Sequence, residues 1–354
     1  MSDDDQTGTP HDSPDGATPA GTRGTAAAGI RDVAQQAGVS PATVSRVLNG
    51  SAVVTPEVRR RVLEAIGHLG YRPNQVARNL RRQQAEMIGV VIGDVENPFF
   101  TETVRTVEDA AYNLGYRMLL CNTDENAEKQ RAYLRVMAAE RVLGVILAPS
   151  EPNAAEISDL LDLGIPVVAF DRAAGDPRAD SVTADNWEAG RTATEHLLEW
   201  GCRHIVLVSS AEIATGAERL AGYEEAMHSA GLQPRLAPGF SRAEGGMTAV
   251  EELLRQEERP DALIAGNGLM TMGALKALRR HEVRIPEDIA FVSIDDPFWA
   301  ELADPPLTAL AQPVRQMAQT VIELLVGRLQ NRRDEPRHLV YPFDLRIRAS
   351  SGRL

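Results

Sequence analysis

From residue 87 onward the chain alternates short apolar runs with longer stretches of helical spacing. The runs are MIGVVIG (87–93), RMLLC (117–121), LGVILA (143–148), PVVAF (166–170), HIVLVS (204–209), DALIA (261–265) and IAFVSI (289–294). Several are bounded by Gly, Pro or Asp, and none alternates polar with apolar, which is how strands buried on both faces read. Between them, helical patterns fall at 99–114, 126–140, 187–200, 217–230 and 269–281. Regular βα alternation predicts doubly wound parallel sheets. The region exceeds what one such sheet usually holds, so two lobes are expected. Ligands of open α/β sheets sit beyond the carboxyl ends of the strands. Those ends carry Asp94, Ala148, Asp171, Ser209, Gly266-Asn267 and Asp295-Asp296. So many polar strand ends predict a small polar ligand in a cleft.

Before residue 87 the period changes. IRDVAQQAG puts Ile30, Val33, Ala34 and Ala37 on one stripe and stops at Gly38. In SPATVSRVLNG, Ser40 is a good N-cap and Pro41 stands at the first helical position. Val44, Val47 and Leu48 then face inward, leaving Thr43, Ser45, Arg46 and Asn49 on a polar face. Two short helices joined at a glycine form a helix-turn-helix pattern. Thr55-Pro56 caps a third helix with Val58, Val62, Leu63 and Ile66 inward and Gly70 at its end. Asn74 can cap a short fourth helix carrying Ala77, Leu80 and Arg81, too short to stand without a partner. Residues 2–29 hold no Leu, Val, Ile or Phe, so residues 1–29 are expected to be a disordered acidic tail.

Charge changes the picture. The net charge of −13 over 354 residues argues, as an average, against a nucleic-acid partner. Its distribution does not. Residues 1–29 hold five Asp and one Arg, and residues 30–82 hold nine Arg against Asp32, Glu57 and Glu64, which leaves −15 for the remainder. A block of +6 on a small helical unit is the footprint of phosphate contact. The other composition signals are bland. There is no apolar run of membrane-spanning length, and the acidic start lacks the pattern of a secretion signal. Two cysteines, Cys121 and Cys202, make no disulfide framework. A cytoplasmic protein without membrane association is expected.

Enzyme chemistry finds little support. No GxSxG or P-loop is present, and GNGLMTMG is spaced too widely for a dinucleotide fingerprint. The seven histidines form no HxxxH pair. Asp295 and Asp296 are adjacent, so on a strand they would point opposite ways. The expectation is a non-enzyme without cofactor or metal.

DVAQQAGVSPATVSRVLNG followed by VTPEVRRRVLEAIGHLGYRPNQVARNLR resembles the N-terminal region of the lactose-repressor (LacI) family, almost without a gap from Ile30 to Arg82. The resemblance implies a second helix in the major groove and a hinge helix in the minor groove of operator DNA. It assigns Ser40, Pro41, Ala42, Thr43, Ser45, Arg46 and Asn49 to the recognition helix, with Arg46 reading a guanine edge. It assigns Asn74, Gln75, Ala77 and Arg78 to hinge contacts and Leu80 to a wedge between base steps. Pro41 and Ala42 lack donors, so base reading there would be by apolar contact. Gly29 stands where the family usually has a Thr cap, so the first helix is expected to fray more.

The body resembles the same family, and through it the periplasmic sugar-binding proteins. Its landmarks are NPFF (97–100), FDR (170–172), ADN (184–186), ERLAGY (218–223), AGNGLMTMGALKAL (265–278) and IPEDIAFVSIDD (285–296). The resemblance implies effector contacts at Phe99 or Phe100, Asp171, Asp185, Arg219, Asn267 and Asp295. Carboxylate, amide and guanidinium groups suit sugar hydroxyls, and an aromatic ring suits the apolar sugar face. Phe170, Trp187, Phe298 and Trp299 are further ring candidates, and Asp296 is expected to cap the following turn.

The fold expected is a small all-α helix-turn-helix headpiece plus a two-lobed α/β periplasmic-binding-protein-like domain with doubly wound parallel sheets. The headpiece would span 30–72 and the hinge helix and linker 73–86. Lobe 1 would hold about 87–184 and 313–339, and lobe 2 about 185–312 and 340–354. The function implied is a sequence-specific DNA-binding transcriptional regulator, a repressor acting as a homodimer on a near-palindromic operator. Its effector would be a small polar molecule, a sugar or sugar derivative. A nucleobase or nucleoside is the alternative within the family, and a solute-binding protein the alternative outside it.

Overall fold

A computed structural model describes residues 29–48, 54–70, 87–330 and 335–352. The chain divides into two compact units, Met1–Arg81 and Arg82–Leu354.

In the first unit, α1 (Ile30–Ala37), α2 (Pro41–Leu48) and α3 (Pro56–Leu69) enclose a core of Val33, Ala34, Ala37, Val44, Val47, Val62 and Ala65. Gly38 and Gly70 end α1 and α3 in the left-handed region, at φ 62° and 57°. Ser40 caps α2 as its residue type predicts, its Oγ accepting from the Thr43 N–H at 3.1 Å. Two expectations are corrected. Leu63 is 54% exposed, and Ala65 takes the core position instead. Val58, Val62, Ala65 and Ile66 share one helical face, and Leu63 lies a full residue step off it. Thr55 makes no side-chain cap, so α3 starts on Pro56 alone. At α1 the missing Thr is offset in part: the Gly29 N–H donates to the Asp32 carboxylate at 2.7 Å.

The second unit holds two six-stranded sheets. The first uses β1 (Met87–Ile92), β2 (Arg117–Asn122), β3 (Val145–Leu147), β4 (Val167–Asp171), β5 (Asp180–Ala184) and β11 (His338–Tyr341), in the order β11-β5-β4-β3-β1-β2 and parallel throughout. The second uses β6 (Ile205–Ser209), β7 (Arg235–Pro238), β8 (Ala262–Ala265), β9 (Ala290–Ile294), β10 (Thr308–Ala311) and β12 (Asp344–Arg346), in the order β12-β10-β9-β8-β6-β7. Among the described residues, only β12 runs antiparallel to its neighbour. Helices cover both sheets: α4 (Pro98–Asn113), α5 (Ala127–Glu140), α6 (Ala155–Asp162) and α11 (Val314–Leu329) the first, and α7 (Asn186–Glu199), α8 (Ala214–Ser229), α9 (Ala243–Leu254) and α10 (Gly268–Arg280) the second. Each sheet is sandwiched between two apolar clusters, the arrangement that its uninterrupted apolar strands require.

The chain crosses between the sheets after Ala184, after Ala311 and after Tyr341. The last crossing lies later than expected. Val340 and Tyr341 still pair with Thr183 and Ala184, so β11 stays in the first lobe to its end.

α7 and α8 pack closely through glycine. A Cβ on Gly190 would strike the Arg219 carbonyl, and one on Gly222 would strike the Trp187 carbonyl. Both obstacles are backbone, so a side chain can enter only by driving the helices apart. Gly190→Ala should therefore lower stability by about 1–3 kcal/mol, the usual cost of overpacking. Urea denaturation of the full chain checks it, and an unchanged midpoint would refute the close contact.

Candidate functional site

The second unit's cleft lies between the carboxyl ends of the two sheets and encloses about 640 Å³. Asp94, Asp124, Glu125, Asp171 and Arg172 enter from turns after β1, β2 and β4. Ser210, Phe240, Arg242, Asn267, Asp295 and Gln312 enter after β6, β7, β8, β9 and β10. A second cavity of about 930 Å³ opens beside it and shares Asn97, Phe99, Asp295 and Gln312. The smaller space is the candidate ligand site, because the strand ends of both lobes converge on it.

Local structure aims these groups. Asn97 caps α4, its Oδ1 accepting from the Phe99 N–H at 3.1 Å, which sets Phe99 and Phe100 in the first helical turn. Phe99 stacks on Phe170 at 5.3 Å and meets Phe100 edge-on at 5.1 Å. Both rings belong to the first lobe's core while also lining the cleft. Asn267 caps α10 through the Met270 N–H at 2.7 Å. Arg219 is buried. Its Nε donates to Asn186 Oδ1 at 2.9 Å, Nη1 donates to the Gly266 carbonyl, and its guanidinium lies 5.9 Å from the Phe343 ring centre. Asp295 accepts from Gln312 Nε2 at 2.7 Å and from the Gly268 N–H at 3.3 Å.

A buried ion cluster forms one wall. Arg172 donates through Nη1 and Nη2 to both Glu125 oxygens at 2.7 Å, and through Nε to Asp171 at 3.0 Å. Nη1 also reaches the Pro149 carbonyl. Burial pushes the Asp171 carboxyl above its ordinary value, against the pull of Arg172 and Arg219. Burial works to lower the Arg172 pKa, but Asp171 and Glu125 outweigh it and raise the pKa further. At the mouth, Arg242 of the second lobe reaches Asp124 at 3.0 Å and Asp94 at 3.4 Å, both in the first. The Lys129 ammonium holds Asp124 below the usual carboxylate range, with Arg242 adding to the pull and burial opposing it.

In the first unit, α2 presents Ser40, Pro41, Ala42 and Arg46 to solvent, with Thr43 and Ser45 half-buried beside them. α3 adds exposed Arg60, paired with Glu64 at 2.8 Å. Asn49, Asn74, Gln75, Ala77, Arg78 and Leu80, and the acidic tail to residue 28, lie outside the described residues.

A family model of bacterial regulatory proteins, lacI family, matches residues 29–74, and one of periplasmic binding proteins and the sugar binding domain of the LacI family matches residues 85–349. The chain belongs to the LacI family. It is a DNA-binding transcriptional regulator with an effector-binding domain. The HTH-type transcriptional repressor PurR of Photobacterium profundum is 35% identical over 330 residues, covering 91% of this chain and 98% of that protein. The HTH-type transcriptional regulator RegA of Clostridium saccharobutylicum is 34% identical over 320 residues, covering 89% and 96%. Among solved structures, a lac repressor dimer bound to operator and the anti-inducer ONPF matches with a TM-score of 0.79 at 26% identity, covering 92% of this chain and 99% of that one. A complex of the regulator CelR with cellobiose matches at a TM-score of 0.67 and 32% identity, covering 91% and 99%. Among the described residues, no helix is long and apolar enough to cross a membrane.

In this LacI-family chain, Phe99, Phe100, Asp171, Arg219, Asn267 and Asp295 come together at the cleft. Asp185 does not line it. The Asp185 carboxylate caps α7 instead, accepting from the Glu188 N–H at 3.0 Å. Asp296 caps no turn. It binds Arg346 and Arg348 at 2.7 Å, which draw its pKa down although burial pushes the other way. The extra ring candidates also miss the cleft. Phe170 is core, Trp187 stacks with Arg191, Trp299 packs on the second lobe's core, and Phe298 is 79% exposed beside the larger cavity. Phe240, Glu125, Arg172, Arg242 and Gln312 were not anticipated. Only Arg172 carried a signal, as the last residue of FDR.

Glu125→Ala would leave Arg172 buried with one carboxylate in place of two. The expected loss is about 3 kcal/mol of stability, the range for breaking a buried ion pair from one side. Chemical denaturation reads it, and a loss near zero would show that the cluster is open to water.

Proposed function

We propose that the protein is a transcriptional repressor that acts in the cytoplasm as a homodimer on a near-palindromic operator. A small polar molecule, a sugar or sugar derivative, would bind in the cleft and control operator affinity. The observation that carries this reading is the convergence of Asp171, Arg219, Asn267 and Asp295 on one cleft edged by Phe99 and Phe100. Carboxylate, amide and guanidinium groups match vicinal hydroxyls, and a ring matches the C–H face of a sugar. Likeness to a lac repressor dimer and to a CelR–cellobiose complex supports the dimer and the ligand class. A headpiece presenting one short recognition helix covers one half-site, so two chains are needed.

A nucleobase or nucleoside is the second reading. It is favoured by Phe240, which brings an aromatic ring from the second lobe to a cleft that Phe100 lines from the first, and by the PurR relatives. A thermal-shift screen of sugars against nucleobases and nucleosides separates the two. A ligand at one hundred times its Kd should add about 2.7 kcal/mol of stability.

For DNA, Arg46 is the residue proposed to read a guanine edge. Arg46→Ala should weaken binding to an operator selected from random DNA by about 1–3 kcal/mol and relax one base position. Mobility shifts on the selected operator and its single-base variants measure both. Unaltered base preference would place the reading elsewhere.

A further inference from the structure

The cleft's charge inventory narrows the ligand beyond its being small and polar; this step rests on the cleft being the effector site. Six carboxylates line it: Asp94, Asp124, Glu125, Asp171, Glu212 and Asp295. Three guanidiniums of the lining answer them, Arg172, Arg219 and Arg242, and the Lys129 ammonium behind the lining pairs with Asp124. The formal balance is therefore negative before any ligand enters, and two of the three guanidiniums are already paired with carboxylates. Arg172 has both terminal nitrogens on Glu125 and its Nε on Asp171. Arg242 is held between Asp94 and Asp124. Arg219 hydrogen-bonds neutral groups, the Asn186 side chain and the Gly266 carbonyl. Among the described residues of the lining, it is the one cation with no carboxylate hydrogen-bonded to it.

We propose that the cleft selects an uncharged or cationic effector bearing hydroxyl or amine donors and rejects phosphorylated or otherwise anionic molecules, with Asp94 and Asp124 setting that preference by neutralising Arg242. A phosphate needs a donor fork with charge to spare. Here the fork nearest the mouth is spent on two carboxylates from the opposite lobe, and an entering anion also meets Asp295 and Glu212, for which no cation partner is present among the described residues. Like charges at close range raise the free energy of the bound anion. Donors on an uncharged ligand find the reverse, since the carboxylates present acceptors.

The test is isothermal titration calorimetry on the full chain at constant ionic strength. The probes are inorganic phosphate and three matched pairs: glucose and glucose 6-phosphate, ribose and ribose 5-phosphate, adenosine and AMP. In the unaltered protein, phosphate should not bind measurably, and no phosphorylated probe should bind more tightly than its parent. The double variant Asp94→Asn/Asp124→Asn frees Arg242, releases Lys129 from Asp124 and removes two negative charges, so it should bind inorganic phosphate measurably, at least about tenfold above the detection limit of the unaltered protein. Adding Arg242→Ala should abolish that gain. A phosphorylated probe that outbinds its parent on the unaltered protein overturns the proposal. So does a double variant that is folded by circular dichroism and gains no phosphate affinity. Where the double variant does not fold, the single variants stand in, each expected to show part of the gain, and no gain in either counts against the proposal. If no sugar or nucleoside binds, the ligand class proposed above fails, while the phosphate comparison between variants still decides the charge preference.

Discussion

The larger unit depends on one topological constraint: its chain passes between the two sheets three times, and polar groups lining the cleft are wired to those passages. Arg219 is held by Asn186, just past the first crossing, and by the ring of Phe343, in the third. Asp295 is held by Gln312, in the second. The segments that would turn if the lobes changed angle thus contact Arg219 and Asp295 directly. Conversely, a ligand that fixes the two side chains favours the lobe angle at which both can reach it. The glycines at α7 and α8 belong to the same device. They let Arg219's own carbonyl lie against Gly190, so the helix that carries the guanidinium is seated directly on the helix that starts at the first crossing.

Charge is distributed to match. The headpiece region is basic and the body acidic, and the body's surface ion pairs, such as Arg105 with Asp109 and Arg284 with Asp288, are exposed and contribute little to stability. The cluster of Arg172 with Glu125 and Asp171 is different. Two-pronged geometry offsets part of its desolvation cost, with burial still pushing the Asp171 carboxyl up, and losing a partner strands a charge. It closes one wall of the cleft with groups that no longer seek counterions.

Much of this was legible in the chain and some was not, for definite reasons. Strands β1, β3, β4, β6, β8 and β9 are buried on both faces, and their apolar runs announce them. The runs β5, β7, β10, β11 and β12 escaped because they are short and mixed: DSVTA carries polar residues, RLAP ends in a Pro that cannot donate to a ladder, and DLR is a half-exposed edge. Helix α9 begins AEGGM, where two glycines argue against helix until one sees that Gly246 lies against the backbone of Met270. In the site, Asp171, Asn267 and Asp295 could be read because position at a strand end is enough to aim a side chain. Asp185 also follows a strand and caps a helix, as Asn267 does, but it sits at the crossing and its side chain does not line the cleft. The pairings of Arg172 with Glu125 and of Arg242 with Asp124 join residues 47 and 118 apart, and no local pattern encodes contacts at that range.

Asp171 and Asp295 share a further constraint. They end β4 and β9, which occupy equivalent places in the two sheets, and both have a left-handed backbone, with φ of 67° and 76°. For a residue with a Cβ this costs on the order of 1 kcal/mol, and more for a β-branched side chain. Glycine would relieve the strain but would delete an acceptor from the cleft. Asparagine and aspartate tolerate the conformation best among side-chain-bearing residues, and at both places the side chain is then held, by Arg172 on one side and by Gln312 and the Gly268 N–H on the other. The residue type is thus decided twice, by a backbone that excludes bulky alternatives and by a cleft that needs an oxygen acceptor. Coincidence of the two demands at matched positions in both lobes sets these carboxylates apart from the more exposed Glu212 as side chains of fixed position in the cleft.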